Sequence, residues 1–217
     1  MSLVLKSVDE YLNKFEKKQE KPKIKSEPKK SLFTTITSGK FKGKKLALPS
    51  LKTTRSTKSI VRQSFFNTTR YELDDALFIE GFGGSALMAC EAVSNGAKKA
   101  LAIEIDKAAY KLASKNCAAL EGCAASVILG DSFELLMEVI LGADIPVILY
   151  LDPPFDIRGG FERVYDRLFK LLNDVPRKRV KIVCFEHSSA VAMPEQVGDF
   201  NKIKSKKFGS TSLTYYS

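Results

Sequence analysis

The chain has 217 residues, 44% hydrophobic and 28% charged, with 35 Lys and Arg against 25 Asp and Glu for a net charge of +10. That length suits one domain with an appendage, no apolar run reaches the ~18 residues a membrane span needs, and the N-terminus lacks a signal-peptide core. Cys90, Cys117, Cys123 and Cys184 form no C-x-x-C pair and His187 is the single histidine, so neither a metal site nor a disulfide framework is expected, and a reduced, cytoplasmic compartment is.

The charge is unevenly placed. Up to Lys58 there are 16 Lys and Arg against 5 Asp and Glu, a balance of +11; from Ser59 onward there are 19 against 20, a balance of −1. A neutral body with a basic N-terminal arm suggests a polyanionic partner. Within residues 1–30, Ser7-x-x-Glu10 reads as a capping box, with Val8, Tyr11, Leu12 and Phe15 at helical spacing, so a short amphipathic helix and a flexible tail both remain open. The following KKQEKPKIKSEPKK has no apolar period and reads as a flexible basic linker.

Residues 31–72 form the next expected unit. Leu32 to Thr37, a Ser38-Gly39 break and FKGKKLAL from Phe41 predict a β-hairpin or two short strands presenting Lys40, Lys42, Lys44 and Lys45. Thr57 to Asn67 places Ile60, Val61, Phe65 and Phe66 at helical spacing, with Arg62 among them.

From residue 73 to 217 strand and helix alternate. ALFIE (Ala76 to Glu80) precedes a glycine cluster and a helical run from Ser85 to Val93. KALAIEID holds the second strand and Ala108 to Leu120 its helix; SVILG is the third, followed by the helix Ser132 to Leu141. VILYLD (Val147 to Asp152) is the fourth, Phe161 to Leu172 a helix and VKIVCFEH (Val180 to His187) the fifth, before a terminal strand pair. Apolar strands spaced by helices indicate a doubly wound, mostly parallel α/β sheet whose ligand lies at the strand C-termini.

Four strand ends carry unusual residues. After the first comes Glu80-Gly81-Phe82-Gly83-Gly84-Ser85-Ala86, where glycines let the backbone approach a ligand; Gly81, Gly83 and Ala86 even fit a dinucleotide fingerprint. The second ends on Glu104-Ile105-Asp106, an acid placed to accept from ribose hydroxyls, which serves NAD and S-adenosylmethionine equally. At the third, Asp131 before Ser132 either accepts from an adenine amine or caps the next helix. The fourth ends on Asp152-Pro153-Pro154-Phe155. The prolines remove two N–H donors, so a carboxylate and a proline carbonyl offer acceptors for both protons of an amino group. An exocyclic base amine is a poor nucleophile, and two acceptors favour a pyramidal nitrogen with a localised lone pair. Phe155 supplies a face on which an extruded base can stack. His187 has no serine or cysteine to serve and reads as structural.

At these residues the chain resembles the small-subunit ribosomal RNA guanine-N2 methyltransferases (the RsmD family), among the class I S-adenosylmethionine-dependent methyltransferases. The resemblance runs from about Thr37 to Tyr216, through SGKFKGKKL, RSTKSIVRQSFFN, FGGSALMACEA, AIEID, the strand-four DPPF and the closing GSTSLTYY. It implies a seven-stranded methyltransferase sheet with a small N-terminal hairpin-and-helix appendage facing RNA. S-adenosylmethionine would lie on Glu80, Phe82, Gly83, Gly84 and Ser85 (methionine part), Glu104 and Ile105 (ribose side), and Asp131 and Ser132 (adenine side). The target guanine would meet Asp152, Pro153, Pro154 and Phe155; Lys40, Lys42, Lys44, Lys45, Arg55 and Arg62 would face RNA. The implied partner is ribosomal RNA or the small subunit, with the protein a monomer. Three residues depart from the family pattern: Ala86 stands for a loop glycine, Ser56 for the proline of R-P-T, and Gln63 for a glutamate.

Three alternatives rank below this reading. An amino-group DNA methyltransferase would need a target-recognition segment, and none is inserted between the motifs. An NAD-dependent oxidoreductase leaves DPPF unexplained. A non-enzymatic RNA-binding module has no use for the strand-four acceptors.

Overall fold

A computed structural model describes residues 32–49, 59–154 and 163–217. The basic tail 1–30, Arg55 and Phe155 lie outside the described residues. Two strands at the start, β1 (Leu32–Thr35) and β2 (Lys45–Leu48), pair antiparallel with Thr35 opposite Lys45 and Leu32 opposite Leu48, giving the expected hairpin. Helix α1 (Ser59–Thr69) follows. The βα alternation is β3 (Leu77–Glu80), α2 (Leu87–Ser94), β4 (Lys99–Glu104), α3 (Lys107–Ala118), β5 (Ala125–Leu129), α4 (Ser132–Gly142), β6 (Val147–Leu151), α5 (Val164–Asn173) and β7 (Val180–Ser188). Then come β8 (Gln196–Val197), β9 (Phe200–Phe208) and β10 (Thr211–Tyr216).

The main sheet runs β5-β4-β3-β6-β7-β10-β9-β8, parallel from β5 to β7, with β10 antiparallel to both its neighbours. It has eight strands rather than the expected seven, because the two-residue β8 adds itself to the edge through Gln196 and Val197. Two residues between Pro194 and Gly198 are too short a run for any periodicity to announce.

Each sheet face carries its own core. Alternation along β6 sends Ile148 and Tyr150 to one side and Val147, Leu149 and Leu151 to the other. On the first side Tyr150 and Phe78 meet Phe65 of α1, with ring centroids 5.0 and 5.8 Å away, and α2 packs there with every residue buried. On the second side Leu136 and Ile140 of α4 and Leu168 and Leu172 of α5 cover the sheet. Ile36 and Leu46 of the hairpin region belong to the first core. The expected division between residues 72 and 73 is therefore no packing boundary: Ser31–Ser217 forms one compact unit. Gly39 shows how closely the hairpin docks. Its φ is +80°, a Cβ there would stand 1.8 Å from the Ser94 carbonyl oxygen, and Lys40 N donates to that oxygen at 2.8 Å.

Arg62 does not face RNA, contrary to expectation. It is 3% exposed, on the stripe of α1 shared with Phe65 and Phe66, and its Nε lies 3.1 Å from Glu91 Oε1. A guanidinium taken out of water needs a partner charge, and Glu91 on α2 is that partner. Arg62 also donates to Thr34 Oγ1 and the Thr35 carbonyl, while Glu91 Oε1 accepts from Thr37 N at 2.8 Å. This network joins hairpin, α1 and α2. Among the described residues no helix is long and apolar enough to cross a membrane.

Candidate functional site

The unusual residues converge at the C-terminal ends of β3, β4 and β6. The β3–α2 loop turns in a few residues because its backbone is tied on both sides. Gly81 N donates to the Tyr150 carbonyl of β6 at 2.9 Å, and Gly83 N to the Ile103 carbonyl of β4 at 2.8 Å. At Gly83 a Cβ would stand 3.0 Å from Ala102 Cβ and 3.1 Å from Ile103 O, so a side chain would lift the loop off the sheet. Ala86 takes φ +55°, a left-handed conformation that costs an L-residue roughly 1–2 kcal/mol. That is the position where the RsmD pattern has glycine, so the departure noted in the sequence falls on a strained residue.

Glu80 is buried and its carboxylate accepts from Met88 N at 3.4 Å and Ala89 N at 2.9 Å. It satisfies the first turn of α2 from the strand end, a role the sequence does not reveal. Burial pushes its pKa well up against the pull of those two N–H groups. Glu104 is half-buried, and Oε2 accepts from Gly84 N at 2.6 Å while Oε1 accepts from Asp106 N at 2.7 Å. Desolvation raises its pKa also, but a carboxylate has about four acceptor positions, so both oxygens retain capacity for ligand hydroxyls. Beside it Ile105 is 63% exposed, an apolar side chain laid open next to an acid.

Asp131 caps α4, its Oδ1 accepting from Phe133 N at 2.8 Å, and its other oxygen takes no part in that bond. Ser132 is buried and its hydroxyl donates to the Gly81 carbonyl, so it bolts the third strand's loop to the glycine loop. Phe82 packs edge-on to Phe133 at 6.1 Å, and Arg167 of α5 lies over the Phe133 ring at 3.6 Å.

Asp152 is partly exposed where β6 leaves the sheet, Pro153 is buried and Pro154 half-buried. The register that pairs Leu151 with Phe185 sets Asp152 beside Glu186 of β7. Glu186, which the sequence reading passed over, is buried and accepts from the Tyr150 hydroxyl. Burial first, then the charges of Glu186 and Asp152, push the Tyr150 phenol far up, so it stays a neutral donor under this acidic corner. Its signal was present: an acid ending an otherwise apolar strand next to another such strand. His187 is structural as expected, its ring nitrogens 2.8 Å from the Ser188 carbonyl and 2.8 Å from Thr214 Oγ1, and burial lowers its pKa.

Lys40, Lys42, Lys44 and Lys45 are all exposed around the hairpin turn. The four cysteines carry free thiols, and among the described residues no group of three or more His, Cys, Asp or Glu is placed to hold a metal ion.

The sequence profile of the family described as Conserved hypothetical protein 95 matches residues 34–217. The chain belongs to this family. Ribosomal RNA small subunit methyltransferase D of Escherichia coli strain K12 is 32% identical over 133 residues, 61% of this chain. The protein of the same name in Haemophilus influenzae is 30% identical over 122 residues, 55% of this chain. The chain spans 65% and 63% of the length of these two curated relatives. Among solved structures, the Escherichia coli methyltransferase candidate yhhF superposes with a TM-score of 0.69 at 25% identity, covering 85% of this chain and 97% of its own. An RNA methyltransferase from Salinibacter ruber, in complex with S-adenosyl-L-homocysteine, shares the fold with a TM-score of 0.51 at 19% identity, covering 75% and 92%. The RsmD-like character read from the motifs and the α/β methyltransferase fold are thereby borne out for the Conserved hypothetical protein 95 member described here.

Proposed function

We propose that the protein is an S-adenosylmethionine-dependent methyltransferase that modifies the exocyclic N2 of a guanine in small-subunit ribosomal RNA. The observation that carries this reading is the juxtaposition, at adjacent strand ends, of Asp152-Pro153-Pro154 with the glycine loop tied to Glu104. The curated relatives' names support ribosomal RNA as substrate.

The residues present fit the cofactor. Glu104 has acceptor capacity for ribose hydroxyls, Ile105 beside it offers an exposed apolar side chain, and Gly83 holds the loop close against the sheet. When bound, S-adenosylmethionine supplies a methyl group on a positively charged sulfur. Asp152 and a carbonyl of Pro153 or Pro154 then accept the two N–H bonds of the guanine amine and direct its lone pair. Phe155 stacks on the base and holds it out of its strand. The proton that the amine gives up on methylation would pass through the N–H that the Asp152 carboxylate accepts, to that carboxylate and on to solvent. Positioning and charge perform the catalysis, with no covalent bond to the enzyme. Lys40, Lys42, Lys44, Lys45 and Arg55 contribute phosphate contacts, and the protein works as a cytoplasmic monomer.

Labelled methyl transfer from S-adenosylmethionine to small subunits, deproteinised RNA and DNA, followed by nucleoside analysis, tests the reading. N2-methylguanosine in the RNA is the expected product; label only in DNA adenine or cytosine, or calorimetric binding of NAD with none of S-adenosylmethionine, overturns it.

A further inference from the structure

Strand β9 carries Lys202, Lys204, Lys206 and Lys207 and no acid. Apart from these four, residues 59–217 hold 15 Lys and Arg against 20 Asp and Glu, so a single-sign stripe crosses an otherwise acidic body. Edge strands use charges to prevent pairing with other chains, and the chain at β8 covers β9 only as far as Lys202, whose N–H donates to the Glu195 carbonyl, leaving the outer side open beyond it. That purpose is served by lysine on either face of the strand and does not by itself set where two of the four point.

Lys202 is engaged by Glu195 and the Met193 carbonyl. Lys204, Lys206 and Lys207 are exposed and, among the described residues, enter no ion pair. Lys206 stands opposite Leu213, and Lys204 opposite Tyr215. Directly opposed residues share a face. Leu213 and Tyr215 belong to the core that contains Phe65, Tyr150 and the hairpin's Leu46, so Lys204 and Lys206 project on the sheet face that bears the hairpin. Lys207 projects from the other face. Leu213 is in turn opposite Glu186, the neighbour of Asp152. Asp152, Glu186, Leu213 and Lys206 thus form one row across β6, β7, β10 and β9, three strand spacings or roughly 14 Å long.

We propose that Lys204 and Lys206 form a second phosphate-binding surface for RNA, at the opposite side of Asp152 from the β3–α2 loop and level with it. The proposal rests on the ribosomal RNA reading above. Glu186 and Leu213 between them are buried, so a single strand delivering a base to Asp152 runs outside the elements that cover β7 and β10 and meets these ammonium groups beyond them.

The test compares wild type, Lys204→Gln/Lys206→Gln, Lys204→Glu/Lys206→Glu and Lys207→Gln for binding a labelled in vitro transcript of small-subunit ribosomal RNA between about 50 and 200 mM salt. Each lysine that meets a phosphate contributes about 0.7–0.9 to the log–log salt slope, so both double variants are expected to lose about 1.5, with the melting temperature unchanged and Lys207→Gln like wild type. An unchanged slope in the double variants overturns the proposal. So does an equal loss in Lys207→Gln, or a defect confined to anionic phosphatidylserine vesicles. Methyl transfer by wild type, measured alongside, separates the two readings: transfer with an unaltered slope removes only the β9 surface, whereas an altered slope with no transfer to RNA keeps the surface and removes the methyltransferase.

Discussion

Replacing Arg62 by Met keeps most of the side chain's volume and removes its charge from the most buried ion pair among the described residues. Glu91 is 0% exposed and would keep only its bonds from Thr37, at 2.8 Å from N and 3.0 Å from Oγ1. Breaking a buried pair by deleting one partner costs about 3–5 kcal/mol, because the remaining charge is left uncompensated. For a domain of this size each kcal/mol moves Tm by about 2–4 °C, so a fall on the order of 10 °C is expected by calorimetry. The loss is pH-dependent with a definite sign. Burial already raises the Glu91 pKa, and Arg62 is one of the groups holding it down. Without Arg62 the folded-state pKa rises further. A raised carboxyl contributes stability that is present below its unfolded value near 4.5 and lost as pH rises through the folded value. The deficit of Arg62→Met is therefore smallest at about pH 4 and grows toward neutrality. The double variant Arg62→Met/Glu91→Leu is expected to be less impaired than the sum of its singles. A loss under ~1 kcal/mol with no pH dependence would refute the reasoning. So would a variant of normal stability whose RNA affinity had fallen, since that would return Arg62 to the surface role read from sequence.

Gly39→Ala sets a Cβ against the Ser94 carbonyl in a left-handed conformation, and is expected to cost roughly 2–4 kcal/mol from strain and a lost hydrogen bond. Denaturant melts check this, and cofactor affinity should hardly change because Ser94 lies at the far end of α2 from the glycine loop. Glu104→Ala is expected to weaken S-adenosylmethionine binding by about 1.5–3 kcal/mol by calorimetry, through lost hydroxyl acceptors and a slackened Gly84. Binding at wild-type strength would move the ribose elsewhere.

The order of helices and strands was legible because β3, β4, β6 and β7 are apolar runs bounded by polar turns, and the strand-end residues stood out against them. Asp152 stood out as a candidate for the same reason: a carboxylate followed by two prolines ends the apolar run VILYL. Arg62 was misplaced although its spacing told the truth, since Arg62, Phe65, Phe66 and Thr69 fall at i, i+3, i+4 and i+7 on one buried stripe. What the sequence could not supply was Glu91, in a different helix, as the charge that permits the burial. Glu80 and Ser132 were placed at the right loops, but their bonds to Ala89 N and the Gly81 carbonyl depend on how loops from separate strands meet. The polar β9 carries too weak an alternation to reveal that Lys206 shares a row with Glu186 and Asp152.

The central claim is that Asp152 accepts from the amine being methylated, and single-turnover methyl transfer to small subunits by Asp152→Ala and Asp152→Asn tests it most directly. Alanine is expected to lower the rate by about 10²–10³ with the affinity for S-adenosylmethionine nearly intact, and asparagine, which keeps a carbonyl acceptor, is expected to retain more. Near-normal transfer by Asp152→Ala would contradict the account and place the reacting amine away from the end of β6.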